Sequence, residues 1–188
     1  MKQVLFIILS IILWGSGAMA QEEAKSKNEA LAILAGGCFW CLEPPYDNAA
    51  GVKETVVGYL GGHVENPTYE DIGTKTSGHR EAIAIHYNPA EISYERLLEI
   101  FFETIDPFDE HGQFADKGPQ YTTAIYVANE AEQKAAKAAI SKVEAASGKK
   151  VATVIEPLST FYPAEDYHQD YYKKNPVRYK MYKMGSGR

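Results

Sequence analysis

Between Ser93 and Ile105 the chain is committed to one local structure. Tyr94, Leu97, Leu98, Phe101, Phe102 and Ile105 recur at spacings of three and four, a single apolar stripe along an otherwise charged segment. Ser93 stands where its hydroxyl can cap the first turn. The flanking segments restrict the fold further. "REAIAIHYNP" (80–89) alternates Ile83, Ile85 and Tyr87 until Pro89 stops it, and "YTTAIYVAN" (121–129) is another strand-like run. A helix between two such strands has to lay its stripe on the sheet they build. Upstream, "ALAILAGG" (30–37) reads as a buried strand entering a tight turn, "CFWCLEPPYDNAA" (38–50) as helix or turn, and "VKETVVGYLGG" (52–62) as a strand. The order strand, helix, strand, strand, helix, strand is the split β-α-β arrangement of ferredoxin-like folds. An Ala-rich helix over 130–147 closed by Gly148, a strand over 151–157 and a short helix over 164–175 ended by Pro176 follow. The expected class is α+β, a ferredoxin-like two-layer α/β plait with a mixed sheet and added C-terminal elements. The long loop 106–120, rich in Gly, Pro and acids, is a candidate functional segment.

Residues 1–20 stand apart from that fold. Lys2, the apolar run Val4 to Trp14 and the small-residue end Ala18-Met19-Ala20 have the layout of a signal peptide. The run is short for a membrane span, which needs about 20 residues. The expected organisation is a signal peptide over 1–20, a flexible linker over 21–30 and a single catalytic domain over 31–188. No stable membrane span remains after cleavage, and the expected location is periplasmic or extracellular. The full chain has 25 acidic against 19 basic residues, a net charge of −6, which argues against a nucleic-acid partner.

The chain has two cysteines, Cys38 and Cys41, and both lie in "GGCFWCLE" (36–43). Four readings of this pair are open. A structural disulfide would close so small a loop that little unfolded-state entropy is removed. A zinc site needs two more ligands, and the five histidines include no pair at zinc-site spacing. A thioredoxin-like exchanger fits the position after a strand but not the two large aromatics between the thiols. A nucleophile with a nearby resolving thiol fits a Cys38 placed at a helix N-terminus, where free N–H groups would stabilise its thiolate. Phe39 and Trp40 would then wall a small apolar group such as a methyl.

"GGCFWCLE" resembles the active-site signature of the peptide methionine sulfoxide reductases of the A type. "GYLGG" with "NPTYEDI" (58–72), "SGHREAIAIHYNP" (77–89), "DKGPQYTTAIY" (116–126) and "FYPAEDYHQDYYKKNP" (161–176) match the same family in the same order. The likeness covers residues 31 to about 180. It implies an enzyme that reduces the S epimer of methionine sulfoxide, free or in oxidised proteins and peptides. Cys38 would attack the sulfoxide sulfur and become a sulfenic acid. Glu81 would protonate the oxygen, which requires a partly buried carboxyl. Tyr69 and Tyr121 would hydrogen-bond that oxygen, and Phe39 and Trp40 would hold the methyl. Asp116 would supply polarity and order water, Glu43 would support the turn, and His79 and His168 would be structural hydrogen-bonders. Many members carry resolving cysteines in a C-terminal tail, and this chain has none after Cys41. If an internal disulfide forms, Cys41 is the partner for Cys38; the alternative is a buried Cys41 with the Cys38 sulfenic acid reduced directly by an external thiol. A thioredoxin-type protein or another thiol would reduce that disulfide, with no bound cofactor. The other enzyme reading of the same residues is a CxxC thiol-disulfide oxidoreductase.

Overall fold

The computed structural model describes residues 28–187. The expected signal peptide and residues 21–27 of the expected linker lie outside the described residues, and Ala30 already opens the first strand. In chain order the larger elements are β1 (Ala30–Gly36), α1 (Phe39–Asp47), β2 (Val52–Leu60), α2 (Tyr69–Gly73), β3 (Arg80–Tyr87) and α3 (Tyr94–Thr104). A two-residue hairpin of β4 (Gly112–Gln113) and β5 (Asp116–Lys117) and a 3-10 turn at Pro119–Tyr121 precede β6 (Thr123–Val127). Then come α4 (Glu130–Ser147), β7 (Val154–Pro157), β8 (Tyr162–Pro163), α5 (Tyr171–Lys174) and α6 (Pro176–Ser186).

The main sheet has the order β7-β6-β1-β3-β2-β8. Its central four strands, β6-β1-β3-β2, are antiparallel throughout, with α1 joining β1 to β2 and α3 lying between β3 and β6. That is the split β-α-β plait. β7 adds to β6 in parallel and β8 adds to β2 antiparallel, which makes the sheet mixed. Strand alternation decides what faces the helices. Ala32 and Leu34 of β1, Val57 and Tyr59 of β2, and Ile83, Ile85 and Tyr87 of β3 join Leu42 and Tyr46 of α1 and Leu97, Leu98 and Phe101 of α3 in one core. Ile33, Ala35, Leu60, Ala82, Ala84 and Ala124 pack on the opposite face with Tyr126. By the same alternation Glu81, two residues before Ile83, points to the helix side. β1 ends beside it, since Leu34 pairs with Ile83.

The caps of the two long helices match their sequences. Ser93 Oγ accepts from Arg96 N–H at 3.2 Å, and Gly148 ends α4 in the left-handed region. Several expectations are corrected. The strand expected over 121–129 starts only at Thr123, because Tyr121 closes the 3-10 turn. The helix expected over 164–175 shrinks to Tyr171–Lys174, after Asp170 turns with a positive φ of 53°. That helix does end before Pro176, as expected, and Pro176 opens a separate helix. It occupies the first turn of α6, where a missing N–H costs nothing. Pro44 and Pro45 lie inside α1. The helix runs through them, and the carbonyls of Trp40 and Cys41 forgo their usual partners four residues on.

Candidate active site

Two glycines set the position of the first thiol. Gly37 has φ +84°, a left-handed turn that releases the chain from β1 into α1. A Cβ on Gly36 would meet the side chains of Ile105 and Phe101 at 2.9 Å, so only glycine lets the strand end pack this tightly under α3. Cys38 is then the N-cap residue of α1, 6 % exposed, and Cys41 lies one turn on, 4 % exposed. Neither is in a disulfide, and the two are in hydrogen-bond contact with each other.

Glu81 reaches this turn from β3. Its side chain is 1 % exposed, and its Oε2 accepts the N–H of Phe39 at 3.1 Å. This bond corrects an expectation from the sequence. A helix N-terminus was to hold the Cys38 thiolate, but the first N–H of α1 goes to the Glu81 carboxylate. Burial therefore dominates at Cys38, and the Cys41 hydrogen bond and the Glu81 charge push the thiol further above its ordinary value. The Tyr182 hydroxyl pulls in the opposite direction.

The other expected residues converge on the same spot. Tyr69, the first residue of α2, is oriented by a capping box between Thr68 and Asp71. Its phenol shares a hydrogen bond with Tyr121, and burial followed by the charges of Glu81 and Cys38 pushes it up to about 12. Tyr121, fixed by the 3-10 turn, is pushed up by burial and then by Glu81, Tyr69, Cys38 and Asp116. Both phenols thus stay protonated and able to donate. Asp116 sits half-buried on β5 and accepts a short hydrogen bond from Tyr182.

Phe39 and Trp40 divide their tasks. Phe39 is 1 % exposed and packs in the core against Tyr59 and His168, ring centroids 6.0 and 5.1 Å away. Trp40 is the accessible one. Tyr171 stacks on its face at 3.7 Å, Tyr182 meets it edge-on at 5.8 Å, and its indole N–H donates to His168 Nδ1 at 3.2 Å. That bond leaves the proton of His168 on Nε2, 4.0 Å from Glu165, and burial holds the imidazole below its ordinary value and neutral. His79 bonds the N–H of Gly62 and the carbonyl of Val64, a structural tie as expected. Among the described residues no group of three or more His, Cys, Asp or Glu side chains is placed to hold a metal ion.

Three residues of the site were not singled out from sequence. Glu165 accepts from Tyr59 Oη and from the N–H of Tyr69, both at 2.9 Å, and so fixes the start of α2. Tyr171 and Tyr182 complete the wall around Trp40. The signal for Tyr182 is a period: Tyr179, Tyr182 and Ser186 are the residues of α6 that are not exposed, at spacings of three and four.

A model of the family described as peptide methionine sulfoxide reductase matches residues 30–188. The chain is 50% identical over 159 residues to the peptide methionine sulfoxide reductase MsrA 2 of Staphylococcus aureus (strain MW2), covering 84% of this chain and 90% of that one. Among solved structures it resembles Mxr1 from Saccharomyces cerevisiae in reduced form, with TM-score 0.76 and 32% identity over 80% of this chain and 87% of that one. It also resembles Mxr1 in complex with Trx2, with TM-score 0.54 and 27% identity over 77% and 85% of the two chains.

Proposed function

The chain belongs to the peptide methionine sulfoxide reductase family and is an oxidoreductase, and from that premise we propose how its own residues carry the reaction. The substrate is the S epimer of methionine sulfoxide, free or in oxidised proteins. Cys38 attacks the sulfur, Glu81 protonates the departing oxygen, and Tyr69 and Tyr121 hold that oxygen by their phenol hydrogens. Trp40, backed by Phe39, receives the methyl group, and Asp116 keeps the mouth of the site polar. The observation that carries the reading is the meeting of Glu81 with the Cys38 turn, joined through the Phe39 N–H at 3.1 Å with Glu81, Cys38 and Phe39 all buried. A water-excluded carboxyl beside a buried thiol suits proton delivery to a weakly basic sulfoxide.

Methionine leaves behind a sulfenic acid on Cys38, which the Cys41 thiol condenses with to form a disulfide and water. Cys41 has its own opening. A surface cavity of about 350 Å³ is lined by Cys41, Pro45, Glu103, Thr104, Phe114 and Lys183. A reductant would approach Cys41, itself 4 % exposed, from this cavity. A thioredoxin-type reductant is supported by the likeness to Mxr1 in its complex with Trx2. Repair of exported proteins is part of the proposal and rests on the leader-like residues 1–20.

Glu81→Gln keeps the acceptor for the Phe39 N–H but loses the acid, and should slow the first turnover by about 10²–10³-fold. Cys41→Ser should give a normal first turnover and lose most thioredoxin-driven cycling. The R epimer should persist in both cases. An unimpaired first turnover in Glu81→Gln, or equal use of both epimers, would contradict the reading.

A further inference from the structure

Tyr182 touches the nucleophile, yet the reduction set out above gives it no task. Its hydroxyl is in hydrogen-bond contact with the Cys38 thiol and donates to Oδ2 of Asp116. Its ring stands edge-on to Trp40. The placement is held from both ends. Tyr179, Tyr182 and Ser186 form the inward stripe of α6, and the N–H of Ala115, next to Asp116, donates to the Ser186 carbonyl at 3.3 Å. The turn that carries Asp116 and the helix that carries Tyr182 are therefore pinned together.

The chemistry needs what this arrangement offers. Cys38 has to lose its proton to attack. Glu81 is occupied with the opposite task, delivering a proton to oxygen. The groups facing Cys38 are Cys41 from α1, Glu81 from β3, Tyr69 from α2, Tyr121 from the 3-10 turn and Tyr182 from α6, with Asp116 behind Tyr182. Burial, Cys41 and Glu81 push the Cys38 thiol up, and the Tyr182 hydroxyl pulls it down. Of the groups around the sulfur, Tyr182 links it to a carboxylate other than Glu81.

We propose that Tyr182 is a further catalytic residue, relaying the Cys38 proton to the Asp116 carboxylate as the sulfur attacks. The inference rests on the reduction by Cys38. In the resting state the phenol proton lies toward Asp116, so a phenol lone pair is open to the thiol S–H. As the Cys38 sulfur bonds to the sulfoxide sulfur, the thiol proton passes to the phenol oxygen and the phenol proton passes to Asp116. Glu81 protonates the sulfoxide oxygen, and the S–O bond and the new S–S bond both break as the hydroxyl bonds to the Cys38 sulfur, leaving a sulfenic acid on Cys38 and releasing methionine. The substrate sulfur gains two electrons and Cys38 loses two. Solvent returns the proton on Asp116 to Glu81, so thiol plus sulfoxide gives sulfenic acid plus thioether.

Tyr182→Phe keeps the ring on Trp40 and deletes the hydroxyl. Methionine formed in one turnover of the full chain should appear about 100-fold more slowly, with KM little changed. Alkylation of Cys38 by iodoacetamide, followed across pH in a Cys41→Ser background, should shift to higher pH. Asp116→Asn should slow turnover comparably, and the double variant should be no slower than the slower single one. A first turnover within about twofold of the parent with an unshifted alkylation profile overturns the relay. A faster turnover with lower KM also overturns it, because the hydroxyl would then merely occupy the site. If Cys38→Ser retained turnover, the reading of the site itself would fail, whatever Tyr182 does.

Discussion

Helix α1 presents two faces, and they are held by different physics. Phe39, Leu42 and Tyr46, at spacings of three and four, are at most 1 % exposed and enter the core beneath α3. Trp40, Glu43 and Asp47 repeat the same spacing on the other side and all meet the C-terminal stretch. Trp40 stacks on Tyr171. Glu43 Oε1 accepts the N–H of Asp170 at 2.9 Å. Asp47 takes the Tyr172 hydroxyl and the Lys173 ammonium, each at 2.7 Å. The first face is apolar apart from the Tyr46 hydroxyl, which donates to the Leu97 carbonyl at 3.1 Å. The second is built from stacking, charge and hydrogen bonds. Cys38 sits on the seam, placed by the core face and walled by residues that the polar face recruits.

The comparison can be broken at either face. Leu42→Ala opens a cavity in the core and should cost about 2–5 kcal/mol of stability, read by denaturant unfolding. Enzyme that remains folded should still complete a first turnover. If that variant instead lost turnover with its stability intact, the division between the faces would be wrong.

The next effect belongs to Glu43. Burial pushes its carboxyl up to about 7, with the Asp170 N–H opposing and the charges of Asp170 and Asp47 adding. One of its oxygens, Oε2, has no hydrogen-bond partner among the described residues. An acid whose folded value lies above its unfolded one is bound more tightly to its proton in the native state. Its stabilising contribution is complete below about 4.5 and is lost as pH rises through about 7. Stability should therefore decline by up to about 3 kcal/mol across that window, and Glu43→Gln should flatten the decline. A decline of equal size in the variant would assign it to another group.

Trp40→Ala removes the accessible wall and should lower kcat/KM for methionine sulfoxide roughly 10–100-fold, with a smaller loss of stability than Leu42→Ala. Tyr171→Ala removes only the stack behind that wall and should cost about 0.5–1.5 kcal/mol, a loss of severalfold at most. Equal effects of the two substitutions would mean that Tyr171, rather than Trp40, forms the contact surface.

The two faces also differ in how readily a sequence reveals them. The plait was legible because α3 and strands β1 to β3 follow clean periods, and ordered motifs were enough to group Cys38, Glu81, Tyr69 and Tyr121, which the fold brings together. The C-terminal stretch follows no such rule. Asp170 turns through a positive φ that favours glycine, and α6 carries only three inward residues among exposed Val177, Met181 and Met184. Such a segment looks like a polar tail until its partners are known. The fate of the Phe39 N–H was illegible for a different reason. Motif spacing puts Glu81 near the cysteines, but the register of β1 on β3 and the left-handed turn at Gly37 decide that its carboxylate takes the helix N-terminus. The thiol that was expected to be held as a thiolate is instead raised by its burial.

The most direct test of the account is one turnover of the reduced full chain on racemic methionine sulfoxide with no added reductant, followed by peptide mapping. One methionine should form per chain from the S epimer, and the peptide holding both cysteines should carry a Cys38–Cys41 disulfide, while Cys38→Ser forms none. Methionine produced by Cys38→Ser, or by the parent chain with both thiols still free, would contradict it.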